Sequence, residues 1–178
     1  VNVKSVTMSD KYCNDELEVY LNKLILKIND GDNNALRELR LIYASILAIE
    51  SVKMNDFNKL KSGLRTALWI DISFTEPTTG QKIEQKLQLV KKIQRYPHDP
   101  IYELRLNFKS HAFRAIFFWV ITSFMRFNVY VSCFTKTRHV DTTDYYADIC
   151  YASYCKFKQN PTDYLAKFMF GGITNGFT

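Results

Sequence analysis

The chain has 178 residues, 47% of them hydrophobic and 24% charged, with a formal net charge of +6. Those fractions exclude a disordered polyelectrolyte and fit one domain, residues 1–178, with enough apolar material to bury a core. The charge surplus is concentrated: residues 101–138 hold six Lys or Arg against the lone Glu103, so that segment is expected to meet an anionic partner.

Residues 1–8 alternate Val1, Val3 and Val6 with polar residues, the pattern of a short strand. Leu17, Tyr20, Leu21, Leu24, Ile25 and Ile28 recur at three- and four-residue steps. They predict an amphipathic helix over 15–28, stopped by Asn29-Asp30-Gly31-Asp32. Asn33 is the expected cap of a second helix through Leu36, Leu39, Ile42, Tyr43, Ile46, Leu47 and Ile49. A third helical stripe, Phe57, Leu60, Leu64 and Leu68, covers 56–68, and 69–74 fits either a short strand or the tail of that helix. After a loop at 77–80, Ile83, Leu87, Val90 and Ile93 predict a helix over 82–94. Its outer face carries Lys82, Lys86, Lys91 and Lys92, and Pro97 and Pro100 stop it.

From Ile101 the period changes to 2, with Leu104, Leu106 and Phe108 alternating with Glu103, Arg105 and Asn107. A nearly continuous apolar run over 112–121 reads as a central strand covered on both faces, and a third strand follows over 128–134. Asp141 is the expected cap of a helix over 142–158, with Asp144 in its first turn. Pro161 ends that helix, a short further helix is expected over 161–170, and the tail 171–178 is expected to be mobile. The fold class is α+β: N-terminal helices, a small antiparallel sheet and a C-terminal helix.

The apolar run 112–134 raises the question of a membrane span. Arg114 and Arg126 leave only eleven uncharged residues between them, well short of the roughly 20 a span needs. No secretory signal pattern is read at the start, so a soluble, cytoplasmic protein without membrane contact is expected. Cys13, Cys133, Cys150 and Cys155 and the three histidines fall at no metal-ligand spacing. Reduced thiols, no metal and no cofactor are therefore expected.

Arg114 stands inside Phe113-Arg114-Ala115-Ile116-Phe117-Phe118, where a cation is costly unless it is paired or faces a site. A meander places Arg105, Arg114, Lys136 and Arg138 to converge, with Lys109 and His111 near or apart according to register. Simpler readings exist for the same residues. Arg114 is able to pair with Glu103 on the adjacent strand, Lys136, Thr137 and Arg138 to form a solvated strand end, and His98 to be an ordinary loop residue. The lysines of 82–92 read as a solvated helix face or as an extension of a nucleic-acid footprint.

Tyr102-Glu103-Leu104-Arg105, then Arg114-Ala115-Ile116-Phe117-Phe118, then Phe134-Thr135-Lys136-Thr137 before a capped helix resembles the RelE/HigB superfamily of toxins, in particular its phage-derived HigB-like subgroup. The match covers residues 95–158; residues 33–82 read as a helical elaboration longer than the family's usual hairpin. The resemblance implies a toxin of a type II toxin–antitoxin pair. Such a toxin is a metal-independent endoribonuclease cutting mRNA, commonly on the ribosome, and its partners are mRNA and a cognate antitoxin. It implies catalytic roles for Arg114, on the scissile phosphate, and for Lys136, with Arg138 and His139 supplying the remaining charge and proton transfer. Arg105, Lys109 and His111 are the expected RNA-binding residues. The chain departs from the family pattern in having Thr137 where a second lysine stands and in lacking the proline before the last helix. The acid/base is open among His139, His111 and a tyrosine such as Tyr145. Two alternatives stay open: a non-catalytic phage or plasmid regulatory or binding protein on this fold, and a gyrase-poison relative.

Overall fold

The computed structural model describes residues 2–9, 15–136 and 142–170. In chain order the elements are β1 (Asn2–Thr7), α1 (Glu16–Asn29), α2 (Asn33–Glu50), α3 (Met54–Lys61), β2 (Ala67–Thr75) and β3 (Lys82–Lys92). They are followed by β4 (Ile101–Asn107), β5 (Ala112–Ile121), β6 (Met125–Lys136), α4 (Thr143–Gln159) and α5 (Pro161–Phe170). All six strands form one sheet in the order β1-β6-β5-β4-β3-β2. The fold class is α+β, as expected, but the sheet is neither small nor purely antiparallel. It has six strands among the described residues, and β1 lies parallel to β6. A parallel neighbour needs a long connection, which the intervening helices and strands provide.

Helices pack on both sides of the sheet, on the α4 side only over β4–β6. On one side Leu17, Leu21 and Leu24 of α1, Ile42, Ile46 and Ile49 of α2 and Phe57 of α3 pack on Leu104, Phe113 and Phe117. On the other, Ala147, Cys150 and Phe157 of α4 and Phe168 of α5 pack on Ile116, Phe118, Val120, Phe127 and Val129. Each fully buried Leu, Ile or Phe side chain contributes about 1.5–3 kcal/mol relative to exposure, and β5, buried on both faces, gains from both layers. Among the described residues no helix is long and apolar enough to cross a membrane.

Capping follows the short polar residues. Asp15 accepts from the Glu18 amide at α1, and Asp32, not Asn33, caps α2 by accepting from the amides of Asn34 and Ala35 at 2.9 and 3.2 Å. Gly31, at φ +87°, takes the left-handed turn between these helices. Asp144 does sit in the first turn of α4, while the expected cap Asp141 lies outside the described residues, as do Cys13 and the tail 171–178. Cys133 and Cys150 are buried and Cys155 half-buried, all three as free thiols. Arg126, 2% exposed, donates to the carbonyls of Val52, Glu50 and Ile49 at 2.6, 2.9 and 3.1 Å. A cation there satisfies the orphan carbonyls at the C-terminal end of α2 and ties that helix to β6.

The main correction concerns 82–94, expected as a helix and found as β3. Ile83, Leu87 and Val90 fit a 3.6 period, but Ile83, Leu87 and Leu89 at odd positions fit a strand equally well. Pairing with β2 and β4 decides between them. The third helix is shorter than expected as well. It ends at Lys61, Leu64 is 78% exposed, and Leu68 belongs to β2. Residues 33–82 are therefore helical only in their first half, and the rest leads into the β2–β3 hairpin.

Candidate nucleic-acid interface

The two-residue repeat of β4 turns Leu104 and Leu106 toward α1–α3 and Glu103 and Arg105 toward the side of α4. Arg114 of β5 pairs in register with Arg105. Two cations directly opposite would repel, and Glu103 resolves the conflict. Its Oε2 lies 3.6 Å from Arg105 Nε and its Oε1 3.4 Å from Arg114 Nε. Burial pushes the Glu103 carboxyl above the usual range, opposed by Arg114, Arg105, Lys136 and Lys91.

Two bulges bring the lysines to this face. In β6 the register slips opposite Ile116 and Phe117, so that Phe117 faces Tyr130 while Ile116 faces Ser132. Before the slip, Val129 points to the α4 side; after it, Phe134 and Lys136 do. In β3 the slip opposite Leu68 and Trp69 leaves both Leu89 and Val90 buried and puts Lys91 beside Glu103. Without the slips, strict alternation would turn both lysines to the helical side. Re-aiming a side chain is a recognised use of a bulge.

The result is an open basin of about 370 Å³ lined by Lys91, Arg95, Glu103, Arg105, Lys136 and Asp144. Arg95 forms its rim toward α4, with Nε and Nη2 donating to Asp148 at 2.5 and 3.0 Å, and the Tyr96 hydroxyl donates to the same carboxylate at 2.6 Å. Burial would raise the Asp148 carboxyl, but the Tyr96 and Arg95 hydrogen bonds hold it below the usual range.

Three of the expected site residues, Arg105, Arg114 and Lys136, thus share one face, and they do different things. The Arg114 side chain is 5% exposed. Its Nη1 donates to the Leu106 and Phe113 carbonyls at 2.9 and 2.8 Å, and its Nη2 to Asn107 Oδ1 at 2.9 Å. It is bound into the sheet and holds Glu103, while Arg105, 28% exposed, reaches solvent. Lys109 and His111 are not brought to the basin. They lie in the β4–β5 turn beside a separate cavity of about 760 Å³ on the helical side, together with Lys27, Arg37 and Glu38. There His111 Nε2 sits 3.1 Å from Glu38 Oε1, its Nδ1 3.0 Å from Ser110 Oγ, and the Tyr20 hydroxyl donates to the same Glu38 oxygen. Arg138 and His139 lie outside the described residues. Tyr145 is 57% exposed on α4, edge-on to Tyr146.

The sequence offers Lys91 only as one of four lysines on a helix face and does not single out Arg95, because 82–94 fits a helical period. The odd-numbered apolar residues of that segment were the signal available. Lys92, from the same expected lysine face, is instead 2% exposed, with Nζ donating to the carbonyls of Ile93, Tyr96 and Ile101 at 3.1, 2.5 and 3.3 Å. Burial pushes its ammonium down to about 8, with Asp99 opposing.

Among the described residues, no three His, Cys, Asp or Glu side chains are grouped as a metal site requires. No protein-family model matches this chain, and neither a curated protein nor a solved structure does.

Proposed function

We propose that this chain is a RelE-like toxin of a toxin–antitoxin pair, an endoribonuclease that cuts mRNA, associated with the ribosome, by internal transesterification. One observation carries the reading: Lys91, Arg105 and Lys136 line one basin around a buried ion pair, on a sheet face open to solvent. Fixed cations of this kind suit a phosphate whose charge grows as the 2′-oxygen attacks phosphorus and the bond to the 5′-oxygen breaks. The proton leaving the 2′-hydroxyl is balanced by one delivered to the departing oxygen, and His139, three residues beyond Lys136, is the proposed carrier. Arg105, Lys91 and Lys136 take the phosphate contacts. Arg114 acts as a positioning residue, holding Arg105 through Glu103. An acidic antitoxin segment complements the same surface.

A second reading, a non-catalytic polyanion-binding protein on this fold, is favoured by one observation: the Arg114 guanidinium is bound to Glu103 and two carbonyls inside the sheet. Expression of the chain with and without the product of a neighbouring reading frame, followed by mapping of mRNA ends, separates the two. New ends should appear only without the neighbour's product, and Arg105→Ala combined with Lys136→Ala should reduce them about 100-fold or more. Undiminished ends in that double variant would refute the nuclease assignment. Binding of RNA without any new ends would leave the non-catalytic reading.

A further inference from the structure

The basin does not end at Arg105. Arg105 Nη1 donates to Gln88 Oε1 on β3 at 3.4 Å, and Gln88 is the register partner of Trp69 on β2. Trp69, Gln88, Arg105, Glu103 and Arg114 therefore form one row across strands β2 to β5 on the α4 side of the sheet. The row grades from a buried ion pair, through a part-exposed guanidinium and an amide, to an indole that is 60% exposed. Helix α4 covers only the sheet's other half, packing on β4, β5 and β6, so the β2–β3 part of this face is left to solvent.

An indole on a sheet face is ordinarily covered. Around Trp69 the exposed partners are polar: Asp71 faces Lys86, and Lys82 pairs with Glu84 at 2.5 Å. Trp69 is the exposed large apolar side chain of β2 and β3, too little for the buried apolar centre of a stable interface. The cavity of about 330 Å³ that Trp69 borders at the β2 edge also carries Ser51, Asp56, Arg65 and Asp71. The patch offers a nucleobase what one needs, a free π-face beside hydrogen-bonding and cationic groups. Of the hairpin's acids, Glu84 pairs with Lys82, Asp71 faces Lys86 and Glu76 pairs with Arg37 of α2, so the positive charge that remains lies at the Lys91 and Arg105 end. Trp69 and Arg105 are two strands apart, about 10 Å, a short step along an extended strand.

We infer that the β2–β3 hairpin is a single-stranded RNA platform, on which Trp69 stacks a base while Lys91 and Arg105 hold the phosphates leading into the basin. The platform rests on the polynucleotide reading above and names where the strand lies outside the cleavage site. A single strand is required, because only an unpaired base presents its face to the indole.

Trp69 and Trp119 are the chain's two tryptophans, so Trp119→Phe in the full chain isolates the emission of Trp69. Titration with a 2′-O-methyl oligouridine, which binds as RNA does but lacks the attacking hydroxyl, should quench that emission saturably. Trp69→Ala should weaken binding, read by anisotropy of the labelled oligonucleotide, by roughly ten-fold or more. Trp69→Phe should restore most of the loss. Lys91→Ala should lower the salt dependence of binding, and Trp69→Ala should not. Binding with unmoved emission and an undiminished Trp69→Ala affinity overturns the platform and leaves the polynucleotide reading standing. No binding by any form, the parent chain included, overturns both. An equal response to poly-glutamate overturns the platform in favour of a surface for acidic proteins.

Discussion

Two buried carboxylates lie on opposite sides of this sheet, and their partners make them opposite kinds of site. Glu103 is held between two guanidiniums, with Lys91 and Lys136 beside them, so its single negative charge is outnumbered and the excess opens into the basin. Glu38 is held by the Tyr20 phenol and the His111 imidazole, groups that bind a carboxylate without a permanent cation. That cluster ties α1, α2 and the β4–β5 turn together. The comparison teaches that burial of a carboxylate does not by itself mark a functional site. What matters is whether the partners' charge exceeds what the carboxylate cancels and whether the excess faces water.

The comparison breaks most visibly at Arg114. Arg114→Met should cost about 3–5 kcal/mol, because it leaves Glu103 in a buried site with one arginine fewer and removes the donors to two carbonyls. Arg105→Ala, at the exposed end of the same pair, should cost less than about 1 kcal/mol in stability while weakening oligonucleotide binding. Urea titration and binding of both variants check this. Equal stability losses at the two positions would show that Arg114 is not the buried anchor.

Lys92 sharpens the contrast between the two sides, since it is a buried lysine held by three carbonyls and the Tyr102 ring, with the Asp99 charge only partly offsetting its burial. Its value in the fold, about 8, lies below its ordinary 10.5, so between those two pH values the unfolded chain binds more protons than the folded one. Stability should therefore rise with pH across that window, by about 3 kcal/mol. The penalty is fully present below pH 8 and gone above 10.5. The difference between the parent chain and Lys92→Met as a function of pH isolates the effect, and parallel curves would contradict it.

On the helical side the expected effect is on stability alone. Tyr20→Phe should cost about 1 kcal/mol by removing one donor to Glu38, with no change in oligonucleotide affinity. A drop in affinity would mean that the two sides act as one site.

Much of the architecture was legible along the chain. The apolar steps of 17–28 and 36–49, the alternation beginning at Ile101 and the doubly apolar run of β5 each name their element, because one uniform period runs the length of each. The segment 82–92 was not legible, since its apolar residues satisfy two periods and only its neighbours choose between them. At the candidate site, the pairing of Arg114 with Glu103 was weighed from sequence because the two residues fall on adjacent strands. Whether Lys109 and His111 join the basin stayed open in the sequence, because it depends on which side of the sheet the β4–β5 turn presents.

The sequence by itself determined the α+β class, the order of most elements and the concentration of positive charge in residues 101–138, because composition and period are local properties. The tertiary structure decided which of those charges act together. Two register slips, in β3 and β6, reverse the alternation of side chains and carry Lys91 and Lys136 to the face that holds Arg105. A slip of that kind exists only when strands pair, so no reading of one strand alone contains it.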